Sequence, residues 1–212
     1  MSSAQRASNF EDFVGQFGES YRVARADRAR TTPHLDVLQA FGLSVRELCH
    51  SRLLSWFLRA DGEHEQGALF LNALLKLVHF PSFAGENYHV LLEKPERVDV
   101  SIYAEKNFAI FIENKVYAKE QPTQFERLVK SLRGFCDRHH IPAGRRTAIF
   151  LTNDGRAPLT RPGEMDATIT DINLRRDQLF TAFDQALQTS KRKSLLLEHF
   201  LAAYIRGIAK LT

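Results

Sequence analysis

Residues 97–116 read RVDVSIYAEKNFAIFIENKV, and the fold turns on how this stretch is divided. Valine, isoleucine and aromatic residues crowd Arg97–Tyr103 and Phe108–Val116, so both segments are expected to be strands. The short connection between them makes an antiparallel hairpin. A three-residue loop, Glu105-Lys106-Asn107, with Asn107 in the left-handed conformation, pairs Ala104 with Phe108 and therefore Asp99 with Glu113. A two-residue loop would turn Asp99 to the opposite face. Side chains alternate along a strand, so Glu113 and Lys115 share a face and Asn114 points away.

Working outward, residues 89–93 read as a further strand and Thr147–Thr152 as a short buried one, with an edge strand over 167–172. A helix is expected from Pro122 to about Arg138, with Phe125, Leu128, Leu132 and Phe135 on one stripe. Earlier helices are read over 8–30, broken at Thr31-Thr32-Pro33, then from Ser44 to about Arg59, and over 66–79. Residues 153–166 form a polar loop, and helices over 176–188 and 191–210 close the chain. The expected fold class is α/β: a mixed central sheet flanked by helices. Residues 1–44 are expected to be a helical extension and 45–212 the domain.

The bulk properties narrow the setting. The chain has 212 residues, 44% hydrophobic and 25% charged, ordinary values for a globular protein. No long apolar run predicts a membrane span, and the start of the sequence has no apolar signal core, so the expected location is cytoplasmic. A formal charge of +4 permits a polyanionic partner without demanding one. Arg22, Arg25 and Arg28 share a helix face, either solvated or phosphate-contacting. Two cysteines, Cys49 and Cys136, fit buried free thiols, and Cys136 with His139 and His140 lacks the second ligand pair of a zinc site. No glycine-rich phosphate loop and no Gly-x-Ser-x-Gly elbow occurs, so kinase, ATPase and serine-hydrolase readings have no support.

The hairpin carries the chemistry. Directly opposed carboxylates would sit roughly 5 Å apart at Cβ. At about 4 Å they repel by about 4 kcal/mol at an effective dielectric of ~20. A divalent cation offsets this best, and hard oxygen ligands favour Mg²⁺ or Mn²⁺ over zinc. Lys115 would then stand beside the ion, orienting the attacking water or stabilising developing charge. The alternative is a surface hairpin with a Glu113–Lys115 pair, but IFIEN and RVDVSI are too apolar for full solvation.

At these residues the chain resembles the PD-(D/E)XK nuclease superfamily, whose signature is an Asp on one strand and Glu-x-Lys on the next. FAIFIENKVYAKEQPTQFERL is similar to a branch of uncharacterised bacterial members with an I-E-N-K motif, RELCHSRLLSWFLRADGEHEQGALFLNALL resembles their E-x-x-H-S-x-L-L-x-W-L-L, and LEHFLAAYIRGI resembles their closing helix. The likeness runs from about Val45 to Tyr204. It implies a restriction-endonuclease-like αβββαβ core, with metal at Asp99, Glu113 and the main-chain carbonyl of Asn114. It implies a role for Glu47 as an outer metal or water ligand, although Ser44-Val45-Arg46-Glu47 also reads as a capping box. Gln124 corresponds to the glutamine of a Q-x-x-x-Y element whose tyrosine is here Leu128, and a helix start there favours phosphate. His50 and Ser51 read as active-site wall or satisfied core groups. His64 matches a family H-G whose glycine is here Glu65. Glu93 reads as a ligand, a hinge charge or a partner of Arg97. Lys119, Arg127 and Lys130 read as phosphate contacts or a solvated face.

The implied activity is metal-dependent phosphodiester hydrolysis, most naturally of DNA, in bacterial defence or DNA processing. The alternative is a non-cleaving nucleic-acid-binding or assembly module on the same fold. A third expectation is a homodimer or partner-protein contact through Leu195, Leu196, Phe200, Tyr204 and Ile208.

Overall fold

The two apolar runs form the expected hairpin. In the computed structural model β2 (Val100–Ala104) pairs antiparallel with β3 (Phe108–Asn114), Ala104 opposite Phe108 and Val100 opposite Ile112. The loop has the expected length, but Lys106, not Asn107, takes the left-handed conformation, at φ 57°. Asn107 instead donates its N–H to the Ala104 carbonyl at 3.0 Å, closing the turn, while the Lys106 side chain stands in solvent.

The structure describes residues 46–211, except 82, 84, 86, 118 and 193. The helix read over 8–30, its break, the Arg22–Arg25–Arg28 face, the extension 1–44 and Ser44 lie outside the described residues. All described residues belong to a unit spanning Asp36–Thr212.

A strand β1 (His89–Leu92) lies antiparallel on the outer side of β2. Beyond β3, β4 (Arg146–Thr152) and β5 (Thr170–Arg175) add in parallel, giving a five-stranded mixed sheet in the order β1-β2-β3-β4-β5. Every residue of β3 is buried, as a strand covered on both faces requires. One face packs on α1 (Glu47–Leu58), α2 (Leu69–Leu77), α4 (Arg176–Thr189) and α5 (Leu195–Ile208), through Ile102, Ile110, Ile112, Ile149 and Leu151. The other packs on α3 (Gln124–Arg138) through Ala109, Phe111, Ala148 and Phe150. The α3 stripe Phe125, Leu128, Leu132, Phe135 is buried as read.

Local side-chain chemistry sets several boundaries apart from the sequence reading. The first central strand starts at Val100 rather than Arg97, because Glu93, Glu96 and Arg97 bend left-handed, at φ 54°, 53° and 66°. α2 is shorter than 66–79: the Gln66 N–H bonds to His64 Nδ1 and Gly67 sits at φ 56°, holding a turn before the helix. α3 starts at Gln124, not Pro122, after a left-handed Thr123 at φ 58°. The edge strand lies at Thr170–Arg175 rather than 167–172, because Asp166 accepts from the N–H and hydroxyl of Thr168 and keeps that segment a turn.

The contact stripe read on the closing helix is divided. Tyr204 and Ile208 are buried in the chain's own core, whereas Leu195 and Leu196 are exposed. No helix among the described residues is long and apolar enough to cross a membrane. Cys136 is a buried free thiol in α3, its pKa pushed up to about 12 by burial, and Cys49 is free in α1.

Candidate active site

Extending the β2–β3 register by one residue sets Asp99 across from Glu113. Here the ladder is carried by a side chain: Asp99 Oδ2 accepts the main-chain N–H of Asn114 at 2.8 Å. Glu113 is 5% exposed and points to the α3 side of the sheet, where Gln124 Nε2 donates a short hydrogen bond to its Oε1. Lys115 Nζ lies 3.2 Å from Glu113 Oε1 and 3.4 Å from Glu47 Oε2. Asn114 points the other way, as alternation requires, and donates to Ser51 Oγ at 2.8 Å and the Glu47 carbonyl at 3.3 Å.

Glu47 begins α1 after Arg46, which makes no side-chain cap. Its carboxylate reaches out of the helix and accepts the Val116 N–H at 3.0 Å. This contact ties Glu47 to the end of β3; Ser44, the other half of the capping box, lies outside the described residues. Gln124 is equally engaged, through Glu113 and through the Gln121 N–H at 3.0 Å.

The electrostatics describe a buried acid pair beside a single lysine. Burial first, and Asp99 next, push Glu113 up to about 7, against the pull of Lys115. Burial also raises Asp99, with Glu47 and Glu93 adding to it and the Asn114 N–H and Lys115 opposing. For Lys115 burial works downward, but Glu113, Glu47 and Asp99 together hold the ammonium above its usual value.

Residues that the sequence did not single out support this strand end from behind. Arg176 opens α4 fully buried and donates from Nη2 to the Lys115 carbonyl at 3.0 Å and from Nε to Asn153 Oδ1 at 2.9 Å. Asn153 in turn donates to the Val116 carbonyl at 3.3 Å. The Tyr204 hydroxyl faces Arg176 and contacts His50 Nδ1 at 2.6 Å. No spacing signal marks Arg176, since Arg175-Arg176-Asp177 reads as an ordinary charged helix start. His50 and Ser51 are thus polar groups engaged behind the site, Ser51 also donating to the Glu47 carbonyl at 3.1 Å.

An open cleft of about 780 Å³ borders Glu113 and Gln124, with Arg127 and Lys130 on its α3 wall and the buried Leu128 between them. Lys119 does not line it. Glu93 sits at the left-handed bend and donates its N–H to the Asp99 carbonyl at 3.2 Å. His64 lies elsewhere, edge-on to Trp56 and Phe70, lining a larger cavity of about 920 Å³ that none of Asp99, Glu113, Lys115 or Gln124 touches.

Among the described residues no three His, Cys, Asp or Glu side chains gather as a ready-made metal cage. The donor set present is two hard carboxylates with main-chain oxygen beside them. That set fits Mg²⁺ better than a full cage would, since Mg²⁺ keeps several waters and is held by one or two carboxylates plus substrate phosphate.

A mixed sheet with an αβββαβ succession, and an acid pair and lysine at the end of its central hairpin, defines a restriction-endonuclease-like fold. The model of the PD-(D/E)XK nuclease superfamily matches residues 35–206, and the chain belongs to that superfamily. No curated protein and no solved structure matches the chain.

Proposed function

We propose that the chain is a divalent-metal-dependent nuclease that hydrolyses DNA phosphodiester bonds, in DNA processing or defence. The observation that carries this reading is Glu113: a buried acid across from Asp99, with Lys115 on the same face and a pKa raised to about 7. Asp99, Glu113 and the Asn114 carbonyl would hold Mg²⁺ or Mn²⁺. The ion supplies, when bound, charge that polarises a phosphoryl oxygen and acidifies water.

The chain's own residues do the rest. Lys115, a firm cation between Glu113 and Glu47, orients the attacking water and stabilises charge developing on the phosphate. Glu47 holds Lys115 and the Val116 N–H, so α1 fixes where the ammonium points. Gln124 restrains one oxygen of Glu113 and stands at the mouth of the cleft, where a phosphate enters.

The test is cleavage of plasmid, linear and single-stranded DNA and of RNA, with Mg²⁺, Mn²⁺ or EDTA, beside folded Asp99→Ala and Lys115→Ala. The reading requires metal-dependent cutting that both substitutions abolish. Cutting that survives both places the chemistry elsewhere. Neither cutting nor metal binding by the wild type would mean a non-cleaving nucleic-acid-binding module.

A further inference from the structure

We propose that Arg97 together with the α3 face bearing Arg127, Ser131 and Arg138 forms a track for the nucleic-acid backbone phosphates flanking the cut position. The proposal rests on the nuclease reading of the neighbouring acid pair and adds where the rest of the strand is held.

The cleft bordered by Glu113 and Gln124 continues along α3 past Arg127 and Ser131 to Arg138, with Arg97 contributed by the β1–β2 turn. Residues 127, 131, 134 and 138 recur at helical spacing and share one face. Counted at about 1.5 Å per residue, Ser131 lies about 10 Å and Arg138 about 21 Å along the axis from Gln124. Arg127, about 4.5 Å along, thus serves the phosphate next to the cut, and Ser131 and Arg138 serve one a few nucleotides further on.

Charge and hydrogen bonding both point to an anion. Arg97, Arg127, Lys130 and Arg138 line the cleft against the acidic Glu96 and Glu113, and among the described residues none of the four cations is in an ion pair. Uncompensated guanidinium groups gathered in a concave site focus positive potential and match phosphate in bidentate geometry.

Ser131 supplies the independent observation. It is 7% exposed, lines this cleft, and its hydroxyl has no hydrogen-bond partner. A helical serine ordinarily bonds back to the carbonyl four residues earlier. Here the hydroxyl makes no such bond. Gly134 makes room beside it: a Cβ there would sit 3.4 Å from Arg138 Nη1, so the guanidinium lies back over the glycine, towards the turn that carries Ser131.

The test is binding of a labelled oligonucleotide, single-stranded and duplex, followed by anisotropy over a salt series in EDTA and in Ca²⁺. Arg127→Gln and Arg138→Gln should each weaken binding roughly tenfold and lower the salt slope by about 0.7 for single strands and about 0.9 for duplex. Ser131→Ala should weaken binding about threefold while the unfolding midpoint holds or rises, since the hydroxyl has no partner to lose. A merely structural serine would show the reverse. Unchanged affinity and slope in all three variants would overturn the track, and cutting by the wild type would then leave the nuclease reading intact. A wild type that binds with these slopes but never cuts with Mg²⁺ or Mn²⁺ keeps the track and removes the nuclease reading. No binding by the wild type removes both.

Discussion

Replacing Glu113 with glutamine should stabilise the metal-free protein at pH 8 and do little at pH 5. In the folded chain the Glu113 carboxyl titrates near about 7, against an ordinary value of 4.5. At 1.36 kcal/mol per pH unit, ionising it in place costs about 3 kcal/mol relative to the unfolded chain. A raised folded pKa favours the fold below the unfolded value, and that contribution is lost as pH rises through about 7. The amide of Glu113→Gln would copy the neutral acid and still accept from Gln124, so the variant escapes the penalty. Its advantage in urea unfolding with EDTA should reach about 3 kcal/mol at pH 8 and fall below about 1 kcal/mol at pH 5. Mn²⁺ should reverse the order, stabilising the wild type by about 4.1 kcal/mol at a thousandfold excess over its Kd and the variant hardly at all. A variant equally destabilised at both pH values would refute the reasoning. Glu113 would then be a structural partner of Lys115 and Gln124, with no charge to compensate.

Arg176→Met should destabilise by about 3 kcal/mol, because it strips donors from the Lys115 carbonyl and Asn153 in a buried setting; thermal or urea unfolding measures it. Glu120→Ala should cost about 2 kcal/mol and expose the 153–166 loop to limited proteolysis, since Glu120 accepts the Leu159 and Thr160 N–H groups at 2.7 and 3.0 Å and the Thr160 hydroxyl. Gly134→Ala should raise stability by about 1 kcal/mol, as expected inside a helix, and leave oligonucleotide binding within about twofold, since the added Cβ would meet only the end of the Arg138 side chain, at 3.4 Å. A melting scan and an anisotropy titration on one sample check both halves.

Much of the architecture is legible in the sequence because the hydrophobic pattern forces it. FAIFIEN is apolar on both faces and must be central, and the hairpin length then fixes Asp99 against Glu113. Element ends are less legible, because single side chains decide them: Asp166 holds Thr168 in a turn, and His64 does the same for Gln66. Arg176 escapes notice for a different reason. Its role depends on long-range contacts with Lys115 and Asn153, which leave no periodicity in the chain. Tyr204 reads from sequence as part of a docking stripe because its helix is apolar on more than one side, yet its hydroxyl is turned inward to His50.

Why so much polar material is buried behind a two-strand hairpin follows from where β3 ends. Past Ile112 the strand leaves its antiparallel ladder, and its backbone groups need new partners. The Asn114 N–H goes to Asp99, the Lys115 N–H to the Leu151 carbonyl at 2.8 Å, and the Val116 N–H to Glu47. The Lys115 carbonyl takes Arg176, and that of Val116 takes Asn153. Two of the carboxylates nearest Lys115 are therefore also the acceptors that end the strand. Acidic side chains at 47 and 99 satisfy backbone groups that water would otherwise have to reach, and in doing so they gather negative charge around Glu113. The same hydrogen bonds that end β3 thus gather three carboxylates, Glu47, Asp99 and Glu113, around one lysine.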